Sequence, residues 1–132
     1  MSGCLRRLCY VSRSRLQGSA AARLAAVDRL LSVSRIVNAR LGVTGMLLSS
    51  EDCFAQILEG APDAVGEVFD RIGRDWRHAG ITLLRDEAVA GRAFADWAMG
   101  AVSDIAMPHP RGGSRAPLYE RLTGLLPQGA VN

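Results

Sequence analysis

The amino-acid sequence predicts an α+β fold in which two helices cover one face of a mostly antiparallel sheet. Two long segments carry apolar residues at helical spacing, and five short segments are rich in β-branched, aromatic and other apolar residues. These segments follow one another in the order β-α-β-β-α-β-β, which is the ferredoxin-like arrangement. A chain of 132 residues has room for one domain with a modest core.

The first half of the chain has a clear signal for each element. A short β-branched and aromatic run predicts the first strand at residues 7–12. Ser19 then resembles an N-cap, and the Ala/Leu/Arg-rich stretch up to about Arg40 predicts a long helix. Two more strands, at residues 43–48 and 53–58, flank a polar turn that is short enough for a hairpin.

The second half predicts one helix and two strands. Pro62 is in a permitted first-turn position, and the apolar spacing predicts a helix that continues to about Arg77. A fourth strand is expected at residues 81–84, with an extension toward Val89, and a fifth at residues 95–102.

The chain divides at residue 104 in this interpretation. Residues 1–104 form the domain, and residues 105–132 form a loop and a short capping helix.

Strand parity places polar groups on the face that the helices should cover. Side chains alternate across a strand, so every second residue shares a face. The residues that share a face are Leu8, Tyr10 and Ser12 in one strand and Phe54, Gln56 and Leu58 in another. The opposite faces are apolar too, so both sides of the sheet need cover. The C-terminal helix, a second protomer, or both would supply it.

Composition narrows the possible functions. The net charge of +3 is mild, and no basic run extends beyond Arg6-Arg7, so a nucleic-acid interface is not expected. The three cysteines, Cys4, Cys9 and Cys53, lack metal-ligand spacing and are expected to be reduced thiols. No segment has the pattern of a membrane span or a signal peptide, so a cytoplasmic location is the default expectation.

Two polar side chains stand out within apolar strands. Gln56 lies in the run Phe-Ala-Gln-Ile-Leu, and a buried amide without a partner costs on the order of 1–3 kcal/mol. Something polar must therefore reach it, either a ligand or, as a structural alternative, a neighbouring backbone group. Tyr10 is the second polar tip, and taken alone it is an ordinary core tyrosine.

The two helices carry polar stripes as well. Leu30, Ser34 and Asn38 are spaced at i, i+4 and i+8 on the first helix, which suggests hydrogen bonds to something beside it. The alternative is a helix end that leaves the core. Arg71, Asp75 and His78 are expected to share a stripe on the second helix. There, Arg71 and Asp75 could also form a simple surface ion pair.

Five blocks in the expected order and spacing resemble the BLUF domain, a sensor of blue light that uses flavin. The resemblance covers about residues 5–104, and its blocks are residues 8–13, 38–47, 54–60, 71–78 and 92–99. Val37 is a departure, because many members carry Asn or His at this position. That weakens one secondary contact and leaves Asn38 in place.

The resemblance implies a flavin, FAD with FMN as a second possibility, between the two helices. Leu30 and Ile72 would sandwich its ring, and Asn38 would bond its pyrimidine edge. The implied cofactor-binding residues are Leu30, Ser34, Asn38, Gln56, Arg71, Ile72, Asp75, Arg77 and His78.

The resemblance also implies a photochemical role for Tyr10 and Gln56. An excited flavin is a strong oxidant, for which Tyr10 would be a transient electron and proton donor. Gln56 has a donor end and an acceptor end, so rotation or tautomerisation reverses the hydrogen bonds that it presents. Trp97 and Met99, which share parity on the predicted fifth strand, would relay the signal. The plainer interpretation is two core side chains.

The predicted function is therefore a photoreceptor without substrate turnover that signals to a separate protein partner, with a homodimer as one expected form. The alternative is a ferredoxin-like interaction module without photochemistry. A small hydrolase or flavin reductase is a weaker alternative, since the chain has two histidines and no recognisable nucleophile–base pair.

Overall fold

The computed structural model describes residues 4–50, 52–95 and 99–103. Its elements are β1 (Leu5–Ser14), α1 (Ala20–Leu41), β2 (Thr44–Ser49), β3 (Cys53–Gly60), α2 (Pro62–Gly73), β4 (His78–Val89) and β5 (Gly100–Ser103). This order confirms the predicted β-α-β-β-α-β-β arrangement and the ferredoxin-like α+β class.

The sheet has five strands in the order β4-β1-β3-β2-β5. Strand β1 is antiparallel to both β3 and β4, and β2 is antiparallel to β3, whereas β5 runs parallel to β2. Strands β1 and β3 are therefore interior to the sheet. Their register places Tyr10 directly opposite Gln56.

Helix α1 has the caps that its sequence predicts. The Ser19 side chain accepts a hydrogen bond of 3.1 Å from the backbone N–H of Ala22, which satisfies one of the free donors of the first turn. The helix ends at Gly42, whose φ of 70° is left-handed and costs glycine nothing because it has no Cβ. The Val43 N–H then donates to the Asn38 carbonyl at 2.8 Å, and the chain turns into β2.

The hairpin between β2 and β3 is closed by Ser50. Its backbone N–H donates to the Cys53 carbonyl at 2.9 Å, and its hydroxyl oxygen accepts from the Cys53 N–H at 3.1 Å. The two strands also approach closely at Gly45, where a Cβ would lie 1.9 Å from the Ile57 carbonyl oxygen. Only glycine fits at this position without a shift of the strand.

The predicted strand parity is confirmed. The face toward the helices carries Leu8, Tyr10, Phe54 and Leu58, which are buried together with Val27 and Leu31 of α1 and Val65 and Val68 of α2. The opposite face is buried as well, through Cys9, Val11, Met46, Leu48, Cys53, Ala55, Ile57 and Phe94. The predicted capping helix at residues 115–126 lies outside the described residues, and the division at residue 104 stays a prediction.

None of the helices in the described ranges combines the length and the apolar character that a bilayer span requires.

Helix α2 ends at Gly73, so the prediction that it continues to Arg77 is wrong. The N–H groups of Arg74 and Asp75 bond back to the carbonyls of Arg71 and Ile72, three residues earlier, and this tightens and ends the last turn. The Asp75 carboxylate then accepts the Arg77 N–H at 2.9 Å. Strand β4 follows at His78, three residues before the predicted start, so Arg71, Asp75 and His78 do not share a helical stripe.

Strand β5 begins at Gly100, so the prediction of a strand from Ala95 is wrong. The side chain of Glu59 in β3 accepts the backbone N–H groups of Ala93 and Phe94 at 2.9 Å, so these donors bond a side chain and not the backbone of a neighbouring strand. Met99 therefore precedes the strand, and shared parity within β5 no longer supports a link between Trp97 and Met99.

Candidate functional site

A cavity of about 250 Å³ lies between α1 and α2 above the sheet. It could hold several waters, each of which takes up roughly 30 Å³ in the liquid. Its walls contain Tyr10 and all nine of the predicted cofactor-binding residues. The complete lining is Tyr10, Leu30, Leu31, Val33, Ser34, Val37, Asn38, Leu47, Phe54, Gln56, Val68, Arg71, Ile72, Asp75, Arg77 and His78.

Tyr10 and Gln56 are joined at the floor of this cavity. The phenol O–H of Tyr10 donates to Oε1 of Gln56, and only 3% of Tyr10 and 6% of Gln56 are exposed. Burial raises the pKa of the Tyr10 phenol above its usual range, and the negative charge of Asp75 raises it further. The phenol is therefore neutral near pH 7 and holds the proton that it shares with the amide.

The other end of the Gln56 amide faces Met99. Its Nε2 donates to the Met99 Sδ at 3.3 Å, and Met99 is 2% exposed. The thioether sulfur is a weak acceptor, so it can satisfy a buried N–H only in part. One of the two predicted relay residues thus contacts Gln56, whereas Trp97 lies outside the described residues.

His78 joins the sheet to the end of α2. Its Nε2 lies 2.6 Å from the Ile72 carbonyl oxygen, which can only accept, so Nε2 must carry a hydrogen. Its Nδ1 lies 2.7 Å from the hydroxyl oxygen of Ser12, and in the neutral ring this nitrogen accepts the Ser12 proton. The imidazole therefore fixes Ile72, a cavity wall, relative to the strand that carries Tyr10.

The cavity lining contains two arginines and one aspartate. The Arg77 guanidinium lies 3.1 Å from the Asp75 carboxylate, and the Arg77 backbone N–H binds the same carboxylate. Arg71 also lines the cavity. These three side chains together carry one positive charge more than negative, which suits an anionic group of a ligand.

Several apolar wall residues were not predicted as site residues. Leu47 lies opposite Gln56 in the β2–β3 register, and Phe54 precedes Gln56 by two residues on the same face. Val68 precedes Ile72 by one helical turn, and Leu31 follows Leu30. Strand parity and helical spacing place these positions on the faces where the helices meet the sheet, but neither pattern distinguishes a cavity wall from a filled core.

The donor set fits a flat heteroaromatic ring with one polar edge. Leu30 and Ile72 offer apolar walls from opposite helices, while Ser34, Asn38 and Gln56 offer hydroxyl and amide groups. A flavin ring has this combination of apolar faces and a polar pyrimidine edge. Among the described residues there is no group of three or more His, Cys, Asp or Glu side chains that could hold a metal ion.

Comparison with known sequences identifies the same family as the motif blocks. The family model for sensors of blue-light using FAD matches residues 5–100. Photoactivated adenylate cyclase subunit beta of Euglena gracilis is 33% identical over 95 residues, which are 72% of this chain and 11% of that protein. The match thus spans a small part of the cyclase.

Solved structures agree with this assignment. BlrB, a BLUF protein in its dark state, aligns with a TM-score of 0.72 and 36% identity over 92% of this chain and 86% of that chain. Klebsiella pneumoniae BlrP1 with FMN and cyclic diGMP aligns with a TM-score of 0.69 and 26% identity, over 92% of this chain and 30% of that chain. The chain therefore belongs to the BLUF family, the sensors of blue light that use a flavin.

Proposed function

We propose that this chain is a blue-light photoreceptor that binds a flavin in the cavity between α1 and α2 and uses Tyr10 and Gln56 for its light reaction. The observation that carries the proposal is the hydrogen bond from the buried Tyr10 phenol to the Gln56 amide at the cavity floor. A neutral phenol beside a reversible amide is the pair of groups that such a reaction needs.

The cavity walls support a specific placement of the ring. Leu30 and Ile72 would contact its two faces, and Asn38 would bond its pyrimidine edge, with Ser34 nearby. Asn38 is 2% exposed and lines the cavity, so its amide lies in a desolvated part of the wall. Burial of the apolar faces stabilises the complex by about 25 cal/mol for each Å² removed from water.

The residues of the chain then perform one closed cycle. A bound flavin under blue light supplies the oxidant for Tyr10. Tyr10 gives up an electron and its phenolic proton, and Oε1 of Gln56 is the acceptor that the proton meets first. Gln56 reverses its amide, so a donor occupies the place of the former acceptor. The electron and proton return to Tyr10, and only the hydrogen bonds around Gln56 remain changed.

We propose FAD as the natural cofactor. The description of the matching family names FAD, and Arg71 and Arg77 supply positive charge for its phosphates. FMN also carries a phosphate, and BlrP1 has been solved with it. Release of the cofactor from purified protein, followed by chromatography and mass spectrometry, distinguishes the two.

We further propose that the output is a signal to a separate protein rather than turnover of a substrate. In support, this chain aligns with 86% of BlrB, which is itself a BLUF protein. The Euglena gracilis relatives are named as cyclases, and this chain matches only a small part of them. A homodimer and a cytoplasmic location remain predictions. Light scattering in the dark and under blue light measures the oligomeric state.

Substitution of Tyr10 separates the photoreceptor from an interaction module without photochemistry. In flavin-bound Tyr10→Phe we expect the blue-light shift of the absorption band to disappear while the flavin stays bound, because the ring remains and the proton donor is lost. The same substitution at Tyr119, the other tyrosine of the chain, serves as the composition-matched control. An unchanged shift in Tyr10→Phe would contradict the proposed reaction, and a light-insensitive unmodified protein would favour the interaction module. NADPH consumption by the flavin-bound protein would instead favour a reductase.

A further inference from the structure

Met99, which contacts the Gln56 amide, accepts two hydrogen bonds from different parts of the molecule. Its side-chain Sδ accepts from Nε2 of Gln56 at 3.3 Å, and its main-chain carbonyl accepts from Nε of Arg35 at 2.9 Å. The first bond depends on which way the Gln56 amide faces. The second comes from α1 and does not involve Gln56.

Arg35 is well placed to connect the cavity with the start of β5. It follows Ser34 and precedes Asn38 by three residues, and both of these neighbours line the cavity. Arg35 is exposed overall, although its bond to Met99 is partly buried. Gly100, which follows Met99 in the chain, begins β5 and pairs with Met46 of β2. The Arg35 bond therefore fixes the main chain directly before the parallel strand pair.

The segment before Met99 has a second fixed point. Both oxygens of the buried Glu59 carboxylate accept the N–H of Ala93, at 2.9 and 3.0 Å, and one of them also accepts the N–H of Phe94. Arg92 donates to the Gly42 carbonyl at 2.7 Å. The chain is thus held at residues 92–94 and again at Met99.

Reversal of the Gln56 amide removes one of the two Met99 hydrogen bonds and leaves the other in place. The reversed amide turns Oε1 toward the Met99 Sδ, and two acceptors then face each other without a proton between them. The thioether must withdraw. The carbonyl of Met99 keeps its bond to Arg35, because that donor carries a permanent positive charge and has not changed.

We propose that Arg35 is a positioning residue of the photocycle, which confines the light-driven change to the Met99 side chain and thereby sets the rate of dark recovery. This inference rests on the proposed function, since it requires the Gln56 reaction. With the carbonyl held, the withdrawn thioether returns by rotation of its own side chain. Without that bond, the displacement extends into the main chain at the start of β5, and recovery must also restore the β2–β5 pairing.

The test compares dark-recovery rates of flavin-bound variants after a blue-light pulse. Arg35→Met keeps the apolar stem and removes the donor, and we expect recovery to slow roughly fivefold, as loss of a bond worth about 1 kcal/mol implies. The size of the light-induced shift and the flavin content should stay as in the unmodified protein. Arg35→Lys retains a charged donor and should recover faster than Arg35→Met. Arg29→Met, an exposed arginine of the same helix, is the control with the same charge change.

A second variant tests whether Arg35 acts through Met99. In Met99→Leu no acceptor faces the reversed amide, so adding Arg35→Met should change the recovery rate by less than about twofold. Recovery of Arg35→Met at the unmodified rate, or equal slowing in the Met99→Leu background, would overturn the inference. A missing shift in the unmodified protein would be a failure of the proposed function instead, and it is seen before any variant is made.

Discussion

The two faces of the sheet are made by alternate residues of the same strands, yet they use polar groups in opposite ways. On the helix-covered face, Tyr10 and Gln56 point into a cavity and bind each other. On the opposite face, Arg7 and Glu59 form an ion pair of 2.8 Å in which neither side chain is more than 1% exposed. The helix-covered face leaves space for a ligand, whereas the polar groups Arg7 and Glu59 of the opposite face bind each other.

The ion pair shows what a purely structural polar cluster looks like. The remaining acceptor capacity of Glu59 is taken by the N–H groups of Ala93 and Phe94. These hydrogen bonds offset the desolvation of two buried charges, which attraction alone does not reliably do. The amide of Gln56, in contrast, has a weak sulfur acceptor on one side. The Arg7–Glu59 pair is thus satisfied by the chain itself, whereas the Gln56 amide is satisfied only in part.

The strongest test of this contrast is Gln56→Leu on the cavity face. We expect complete loss of the blue-light shift, because no reversible amide remains beside Tyr10. The free energy of unfolding should fall by about 1–3 kcal/mol, because the buried Tyr10 O–H loses its acceptor although leucine suits the surrounding core. Absorption spectra and urea unfolding measure both quantities on one sample. A retained shift would remove Gln56 from the light reaction.

Arg7→Met on the opposite face should lower the free energy of unfolding and leave the blue-light shift intact. It leaves the Glu59 carboxylate buried without its cation, which costs about 3–5 kcal/mol of the free energy of unfolding. The flavin shift should persist in the folded protein.

The neighbouring residue provides a matched control for that variant. Arg6 pairs with Asp86 at 2.7 Å, but these side chains are 29% and 37% exposed. Arg6→Met should therefore cost less than about 1 kcal/mol in urea unfolding. Similar costs for Arg6→Met and Arg7→Met would contradict the structural role of the buried pair.

Cysteine reactivity measures how well the opposite face is closed. Burial raises the pKa of the Cys9 thiol to about 12, although the charges of Arg85 and Arg7 partly oppose this. At pH 8 its reactive thiolate should be scarcer by a factor of about 1,000 than in an unperturbed thiol. Alkylation of native protein, followed by peptide mapping, should modify the exposed Cys4 and spare Cys9. Labelling of Cys9 at the rate of Cys4 would show that this face opens.

The smallest expected effect is on the free energy of unfolding alone, with the light reaction unchanged. Ser19→Ala removes the side-chain cap of α1 and should cost about 1 kcal/mol in urea unfolding. The light-induced shift and its dark recovery should not change, since Ser19 lies at the far end of the helix from Asn38. An altered recovery would mean that helix stability alone tunes the photocycle.

Local periodicity explains part of the agreement between sequence and structure, whereas the set of cofactor-binding residues was implied by the resemblance to the BLUF domain. Alternation along a strand places Tyr10 and Gln56 on one face, and helical spacing aligns Leu30, Ser34 and Asn38. Ser19 caps α1 through a bond within three residues, which sequence patterns capture well. All of these depend on neighbours in the chain.

The errors arose where a distant or unexpected side chain decides the backbone. Glu59 captures the N–H groups of Ala93 and Phe94 across more than thirty residues of chain, and this delays β5 until Gly100. Asp75 turns away from the helical pattern and binds Arg77, so α2 ends four residues early. The contact between Arg35 and Met99 joins residues that are 64 apart in the chain, and no pattern in the sequence indicates it.

The most direct test of the central claim is the absorption spectrum of the purified, flavin-bound protein before and after blue light. The account predicts a yellow protein whose flavin band moves slightly to longer wavelength under illumination and returns in the dark, because Gln56 presents a new donor to the ring. A protein that takes up no flavin, or one whose spectrum stays unchanged under blue light, would contradict it.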